Sequence, residues 1–249
     1  EIGSAIVPAV TDTDIVAFLD GVDVLIPAPG VAPHHRVIVE ALLRNVSVRT
    51  EIDIAYEWEQ ERIGGPRPIL GVTGTDGKTT TTMITAALLR GGGRSVGEVG
   101  NTDLPFMAAI EQPFDAFVVE CSSFRLQYTN VFRCDASVWL NLAPDHLDWH
   151  GSMEKYAGAK RRLWAYSQPS DVVVAPTNNE LILETARATK SRCVTFGLDA
   201  GDYKVSSESL ISPHGEICSV DQLWRSLPHD ITNSLAAAAL VIESGLSAV

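Results

Sequence analysis

The sequence predicts an α/β fold built on a mostly parallel sheet, with part of a second α/β unit ahead of it. Five short apolar runs, "PILGVTG", "AFVVECSS", "ASVWLNLA", "DVVVAP" and "RCVTFG", alternate with segments of helical pattern. Runs that are apolar throughout suit strands covered on both faces, as parallel strands are. Residues 201–224 instead alternate polar with apolar and carry Gly and Pro, which predicts a small antiparallel insertion.

Along the chain, "VDVLIPAPG" (22–30) reads as a strand ending in a Pro-Gly turn. "HHRVIVEALLRN" reads as a helix, and "VSVRTEIDI" as a further strand and turn. The charged, then Gly/Pro-rich "EWEQERIGGPRP" (57–68) reads as a linker, so a boundary is expected at 66, with units at 1–66 and 67–249. Helices are expected near 78–90, 154–167, 179–190 and 230–244. The chain opens inside ordinary sequence and stops just after a helical segment, which suggests a piece of a longer protein.

Of the 249 residues 45% are hydrophobic, enough for a sizeable core, and the formal net charge is -12. An acidic body repels nucleic-acid phosphates, so broad nucleic-acid binding is not expected. Cys121, Cys134, Cys193 and Cys218 include no C-x-x-C pair and read as reduced cytosolic thiols. No apolar run reaches membrane-spanning length, so membrane insertion is not expected.

"GVTGTDGKTTTT" (71–82) joins an apolar strand to a helix through a Gly-rich turn. The general phosphate-loop pattern G-x-x-x-x-G-K-[ST] would put its first glycine at 72, where Val72 stands. Gly74 can supply the tight turn instead. Backbone N–H groups and a helix start then face an anion, Lys78 adds a mobile charge, and the Thr79 hydroxyl stands where a magnesium ligand is expected. The helix carries Met83, Ile84, Ala87 and Leu88 on one face.

Glu120 ends the next apolar strand, at the edge where open α/β sheets collect ligands. It suits a metal ligand or a helix cap, although Ser122 and Ser123 are capping candidates too. "NLAPDHLDWHG" packs Asp145, His146, Asp148 and His150 into six residues. A zinc site, a solvated loop and a second cation site all fit, with His146 the better cation ligand. Lys160 falls on the apolar stripe of Tyr156, Ala157, Leu163 and Trp164. It either snorkels to the surface or points into a cleft, where burial would free its amine for chemistry.

Taken in this order, "GVTGTDGKTTTT", "GNTDLP", "VVECSSFRLQ" and "LNLAPDHLDWHGSMEKYAGAK" resemble the Mur ligases of peptidoglycan synthesis. The E-x-S-S-F segment is similar to the D-glutamate-adding branch, and Ala28-Pro29-Gly30 stands where S-P-G is typical. The resemblance implies a Rossmann-like first domain, of which only the later part is here, then an ATP-binding P-loop domain. A third domain, for the incoming amino acid, is expected beyond this chain. It further implies ATP-dependent amide-bond synthesis through an acyl phosphate. The substrates would be UDP-N-acetylmuramoyl-L-alanine and D-glutamate, and the enzyme cytoplasmic and monomeric.

By the same resemblance Gly74, Thr75, Asp76, Gly77, Lys78, Thr79 and Thr80 would cradle ATP, with His229 and Asn233 on its adenine side. Two magnesium ions are implied: one on Thr79 and Glu120, the other on His146 and a carbamylated Lys160. Lys78, His146 and Lys160 would serve catalysis, and Gly30, Asn101, Ser122 and Ser123 the muramoyl substrate. The chain departs from the family pattern at Asp76 and Asp230, where asparagine is usual, at Thr102-Asp103, and at Arg125, where glutamine is frequent. With two domains incomplete or missing, this chain alone is expected to have little ligase activity. Rival readings are another Mur ligase, a folylpolyglutamate synthase relative, a nucleotide-binding regulatory module, and a non-catalytic paralogue.

Overall fold

The computed structural model describes residues 14–246. Its largest sheet has six strands: β3 (Ile69–Thr73), β4 (Val96–Gly100), β5 (Ala116–Glu120), β6 (Ala136–Trp139), β7 (Val172–Pro176) and β8 (Arg192–Phe196). They run in the order β4-β5-β3-β6-β7-β8, and every pairing is parallel. All five apolar runs are therefore strands of this sheet. Their side chains alternate between two cores. Leu70, Val118 and Val174 face one layer, while Ile69, Phe117, Val119 and Val173 face the other.

The first layer holds α4 (Lys78–Gly91) and α10 (Pro228–Glu243), which pack on each other. The second holds α3 (Glu51–Gln60), α5 (Phe106–Ala109), α6 (Ser123–Leu126), α7 (Leu147–His150), α8 (Met153–Arg161) and α9 (Glu180–Arg187). The expected insertion is a three-stranded antiparallel sheet of β9 (Lys204–Ser206), β10 (Ser209–Ser212) and β11 (Gly215–Ser219). Leu210 and Tyr203 tie it to the first core, and the Tyr203 hydroxyl donates to Glu243 of α10.

The N-terminal unit has a core of its own, with Ile15, Leu19, Leu25, Ile38, Ala41 and Val48 buried together. It contains α1 (Ile15–Phe18), β1 (Val24–Leu25), α2 (Arg36–Leu43) and β2 (Ser47–Val48), with β1 and β2 parallel.

Helix α3 departs from the expectation. "EIDI" opens a helix rather than a turn, and the expected linker begins inside it. Ile52 and Ala55 lie in the second core of the large sheet. The charges that suggested a linker are internal fasteners. Glu59 and Arg67 form a buried pair at 2.6 Å, and Arg67 also donates to the carbonyls of Ile110 and Gln112. Asp53, fully buried, accepts from the backbone N–H groups of Asn130, Val131 and Phe132 through one oxygen and from Arg49 through the other.

Helix α4 also differs in a telling way. The face of Met83, Ala87 and Leu88 is exposed, and Thr81, Thr82, Thr85, Ala86 and Leu89 are buried instead. Small and β-branched side chains allow α4 and α10 to lie close; α10 meets it with Leu235 and a run of buried alanines (236–239).

Candidate active site

The strand order reverses at β3, since α4 carries the chain past β5 to β4 and the later strands build on the other side. Such a switch point opens a crevice beyond the C-terminal ends of the strands. The loops after β3, β5 and β6 meet there, bringing together the phosphate loop, Glu120 and Asn141.

Gly77 caps α4 at a φ of 82°, and a Cβ there would lie 2.5 Å from Asn233 Oδ1. The backbone conformation calls for glycine here, and the Asn233 amide of α10 fills the space a Cβ would take. The first intrahelical bond is from the Thr81 N–H to the Gly77 carbonyl. The preceding N–H groups at this helix start have no intrahelical acceptor, the arrangement that suits an anion. Lys78, half-buried, folds back and donates to the Thr75 carbonyl at 2.7 Å. Thr79 and Thr80 are exposed at the same end.

Asn141, just after β6, holds the loop in shape. Its Oδ1 accepts from the N–H groups of Thr75 and Asp76, both at 2.9 Å, and its Nδ2 donates to the Asp76 carbonyl. The Thr75 hydroxyl bridges Ala143 and Tyr156. Sequence reasoning missed Asn141 and Tyr156 as loop supports, although Asn141 stands at the sheet edge that drew attention to Glu120. Asp76 keeps its backbone pinned and its carboxylate in solvent.

Lys160 does not snorkel. It is 1% exposed, donates to the Gly74 carbonyl at 2.6 Å, and lies 4.6 Å from the centre of the Tyr156 ring. Burial chiefly, and the nearby Lys78 charge, bring its pKa down to about 7, against the opposing pull of Asp145, Cys121 and Asp76. A large fraction of the amine is therefore neutral near pH 7.

Glu120 is 1% exposed. One oxygen accepts from Asn101 Nδ2 at 3.1 Å; the other has no hydrogen-bond partner among the described residues. A buried carboxylate oxygen left without a donor suits a cation. Ser122 takes the capping role that Glu120 leaves, accepting from the Arg125 N–H at the start of α6.

The two histidines separate. His146 adopts a left-handed conformation (φ 51°), is exposed, and lies 3.2 Å from Asp145. His150 is buried, stacks on Phe124 and hydrogen-bonds Ser123 Oγ at 2.9 Å. Its pKa falls to about 4, through burial first and then through Lys160 and His146, so it is neutral at pH 7. Among the described residues no three His, Cys, Asp or Glu side chains group to hold a metal, so the zinc alternative has no ligand set. Asn233 lies against the phosphate loop, and His229 is exposed one turn earlier on α10. The Pro29-Gly30 turn lies instead beside a cleft bordered by α6 and Trp149.

Residues 72–241 match the family model described as the Mur ligase middle domain. The chain belongs to the Mur ligase family. It is 36% identical over 232 residues to UDP-N-acetylmuramoylalanine--D-glutamate ligase of Frankia casuarinae, covering 89% of this chain and 48% of that protein. To the enzyme of the same name from Streptomyces coelicolor it is 33% identical, covering 92% and 52%. This Mur ligase chain thus spans about half the length of the curated relatives it matches.

Solved structures share its fold. A UDP-N-acetylmuramoyl-L-alanyl-D-glutamate--2,6-diaminopimelate ligase superposes with a TM-score of 0.65 at 21% identity, over 90% of this chain and 60% of that one. A MurF ligase of Thermotoga maritima in complex with ADP gives 0.59 at 19% identity, over 89% and 60%. Among the described residues no helix is long and apolar enough to cross a membrane.

Proposed function

We propose that this Mur ligase chain is the ATP-binding core, with part of the substrate-binding domain, of a cytoplasmic, monomeric UDP-N-acetylmuramoyl-L-alanine:D-glutamate ligase. The observation that carries the reading is Lys160. An amine buried against the turn glycine of a phosphate loop has no use in a simple nucleotide switch. The D-glutamate-adding assignment rests on the similarity to the Frankia and Streptomyces proteins. In this reading the boundary expected at 66 moves to just before α3, because that helix is fastened to the second unit.

In this reading the loop 74–80 cradles the ATP phosphates, and Lys78 swings from the Thr75 carbonyl onto them. His229 and Asn233 border the adenine side. The unpartnered Glu120 oxygen and the Thr79 hydroxyl would hold one magnesium ion. The neutral Lys160 amine can add carbon dioxide and lose a proton, giving a carbamate that with His146 would hold the second. Bound magnesium offsets phosphate charge during transfer. Asn101, Ser122, Ser123 and Gly30 position the muramoyl substrate, with Ser123 oriented by His150. The substrate carboxylate attacks the γ-phosphate, ADP leaves, and the amine of D-glutamate displaces phosphate from the acyl phosphate. The phosphate-loop arrangement supports phosphoryl transfer by positioning and charge neutralisation.

The test is phosphate release from Mg-ATP, UDP-N-acetylmuramoyl-L-alanine and D-glutamate by a protein with the relatives' full length. Turnover is expected there, lost in Lys160→Ala, and little is expected from this chain alone. Turnover only with meso-diaminopimelate, L-lysine or a folate would move the assignment within the family. Amino-acid-independent ATP hydrolysis that survives Lys160→Ala would favour a regulatory module.

A further inference from the structure

A cleft of about 130 Å³ opens at the end of the large sheet opposite the phosphate loop. Ile69, the first residue of β3, and Asp135, just ahead of β6, line it. The loops of the candidate active site leave the other ends of those two strands. Tyr56 and Gln60 of α3, with Pro66 and Pro68, complete the border. A cavity on the order of 150 Å³ holds benzene, so this cleft has room for about six heavy atoms.

Its polar groups are fixed by their neighbours. Arg133 gives Nε and Nη2 to Asp171, at 2.7 and 2.5 Å, and Asp171 is 1% exposed. Nη1 is the arm that Asp171 does not take. Asp135 Oδ2 accepts from the Ile69 N–H at 2.8 Å, which orients the carboxylate and leaves Oδ1 for a further donor. Tyr56 stands edge-on to Phe132, with ring centres 6.0 Å apart. Burial chiefly raises its pKa, against the pull of Arg133, so the phenol keeps a proton to donate. Arg67 is spent on Glu59 and on the carbonyls of Ile110, Gln112 and Phe114, and serves as wall. Gln60 is exposed, and its amide has no partner among the described residues.

Arg133 and Asp135 thus bring opposite charges to one cleft without pairing with each other. The ion pair of Arg133 is with Asp171, which chiefly raises its pKa, and Asp135 adds to that rise from further off. A molecule seated between them needs an acceptor at one end and a donor at the other, and both bonds are strongest when the ligand groups are charged. A plain anion or a plain cation satisfies one side only. We propose that this cleft binds a small free α-amino acid, with its carboxylate on Arg133 Nη1 and the Tyr56 hydroxyl and its ammonium on Asp135 Oδ1. Gln60 adds an amide at the edge, and the prolines leave room for a short apolar side chain. The site lies apart from the nucleotide crevice and does not depend on the ligase reading.

The experiment titrates the 249-residue chain with glycine, L-alanine and D-alanine and follows its amide resonances by NMR. N-acetylglycine, which lacks the ammonium, and glycinamide, which lacks the carboxylate, are the controls. Saturable shifts are expected in α3 and around 66–69 and 133–135, with much weaker binding of both controls. Asp135→Asn keeps an oxygen for the Ile69 N–H but removes the charge, and should weaken binding about tenfold. Tyr56→Phe should weaken it about threefold to tenfold. Gln60→Ala, at an exposed position, should weaken it by less and leave the fold intact. Thermal melting of each variant, and unchanged Mg-ATP binding, check the fold. Absence of saturable shifts, or shifts centred on the 74–80 loop, overturns the site. Equal binding of glycine and either control overturns the amino-acid assignment. Unchanged affinity in both Asp135→Asn and Tyr56→Phe overturns the contacts on which the proposal stands.

Discussion

Replacing Lys160 with methionine keeps the bulk of the side chain and removes its titration. In the unfolded chain this lysine holds its proton to about pH 10.4. In the fold its pKa is about 7, set by burial and by Lys78. Between those values the unfolded state binds more protons at this site, so the fold gains stability as pH rises and gains nothing further above the unfolded pKa. Integrating from pH 7 to pH 9 gives about 2 kcal/mol. At pH 7 about 4 kcal/mol of the cost of burying the charge remains. Against it stands the bond to the Gly74 carbonyl, whose loss costs about 1–3 kcal/mol. Lys160→Met is therefore expected to be the more stable protein at pH 7, by about 1–3 kcal/mol. Its advantage should shrink by about 2 kcal/mol at pH 9. Urea unfolding of both proteins at the two pH values, free of metal and carbon dioxide, measures the difference. A difference that does not change with pH would refute the argument that Lys160 is the buried, titrating group.

Asp53→Ala strands three backbone N–H groups and Arg49, and should cost about 3–5 kcal/mol in urea unfolding. Gly77→Ala, which forces a Cβ against Asn233 at a φ of 82°, should abolish Mg-ATP binding in calorimetry and lower the melting temperature. Gly100→Ala drives a Cβ into the Glu120 carbonyl at a φ of 93° and should cost about 2–4 kcal/mol by chemical unfolding. Glu120→Gln should leave stability within about 1 kcal/mol, because its free oxygen has no protein donor to lose, while weakening magnesium-dependent nucleotide binding.

The parallel sheet was legible because its strands are apolar on both faces. Strand β4 was not, because Gly97, Glu98 and Gly100 interrupt the run; Gly97 makes room for Phe114, to whose ring a Cβ would approach within 2.9 Å. The one-turn helices α5, α6 and α7 are too short to show a period. Charge misled at α3, where acids that look solvated in the sequence accept from backbone and arginine groups distant along the chain. The strand, turn and helix around Gly74 to Lys78 were readable from local spacing alone. The depth of Lys160 was not, since a stripe position fits both a surface and a cleft. Nor could the sequence separate His146 from His150. Four residues apart on one turn, they differ because Ser123 of α6 bonds only the second, while Phe124 of the same helix touches both rings, stacking on His150 and tilted against His146.

Fastening α3 to the large sheet decides where this molecule can bend. Anchored through Glu51, Asp53 and Glu59, α3 moves with the large sheet, and Arg49, paired with Asp53 and Glu57, extends that hold past the start of the helix, so bending between the two units has to fall ahead of Arg49.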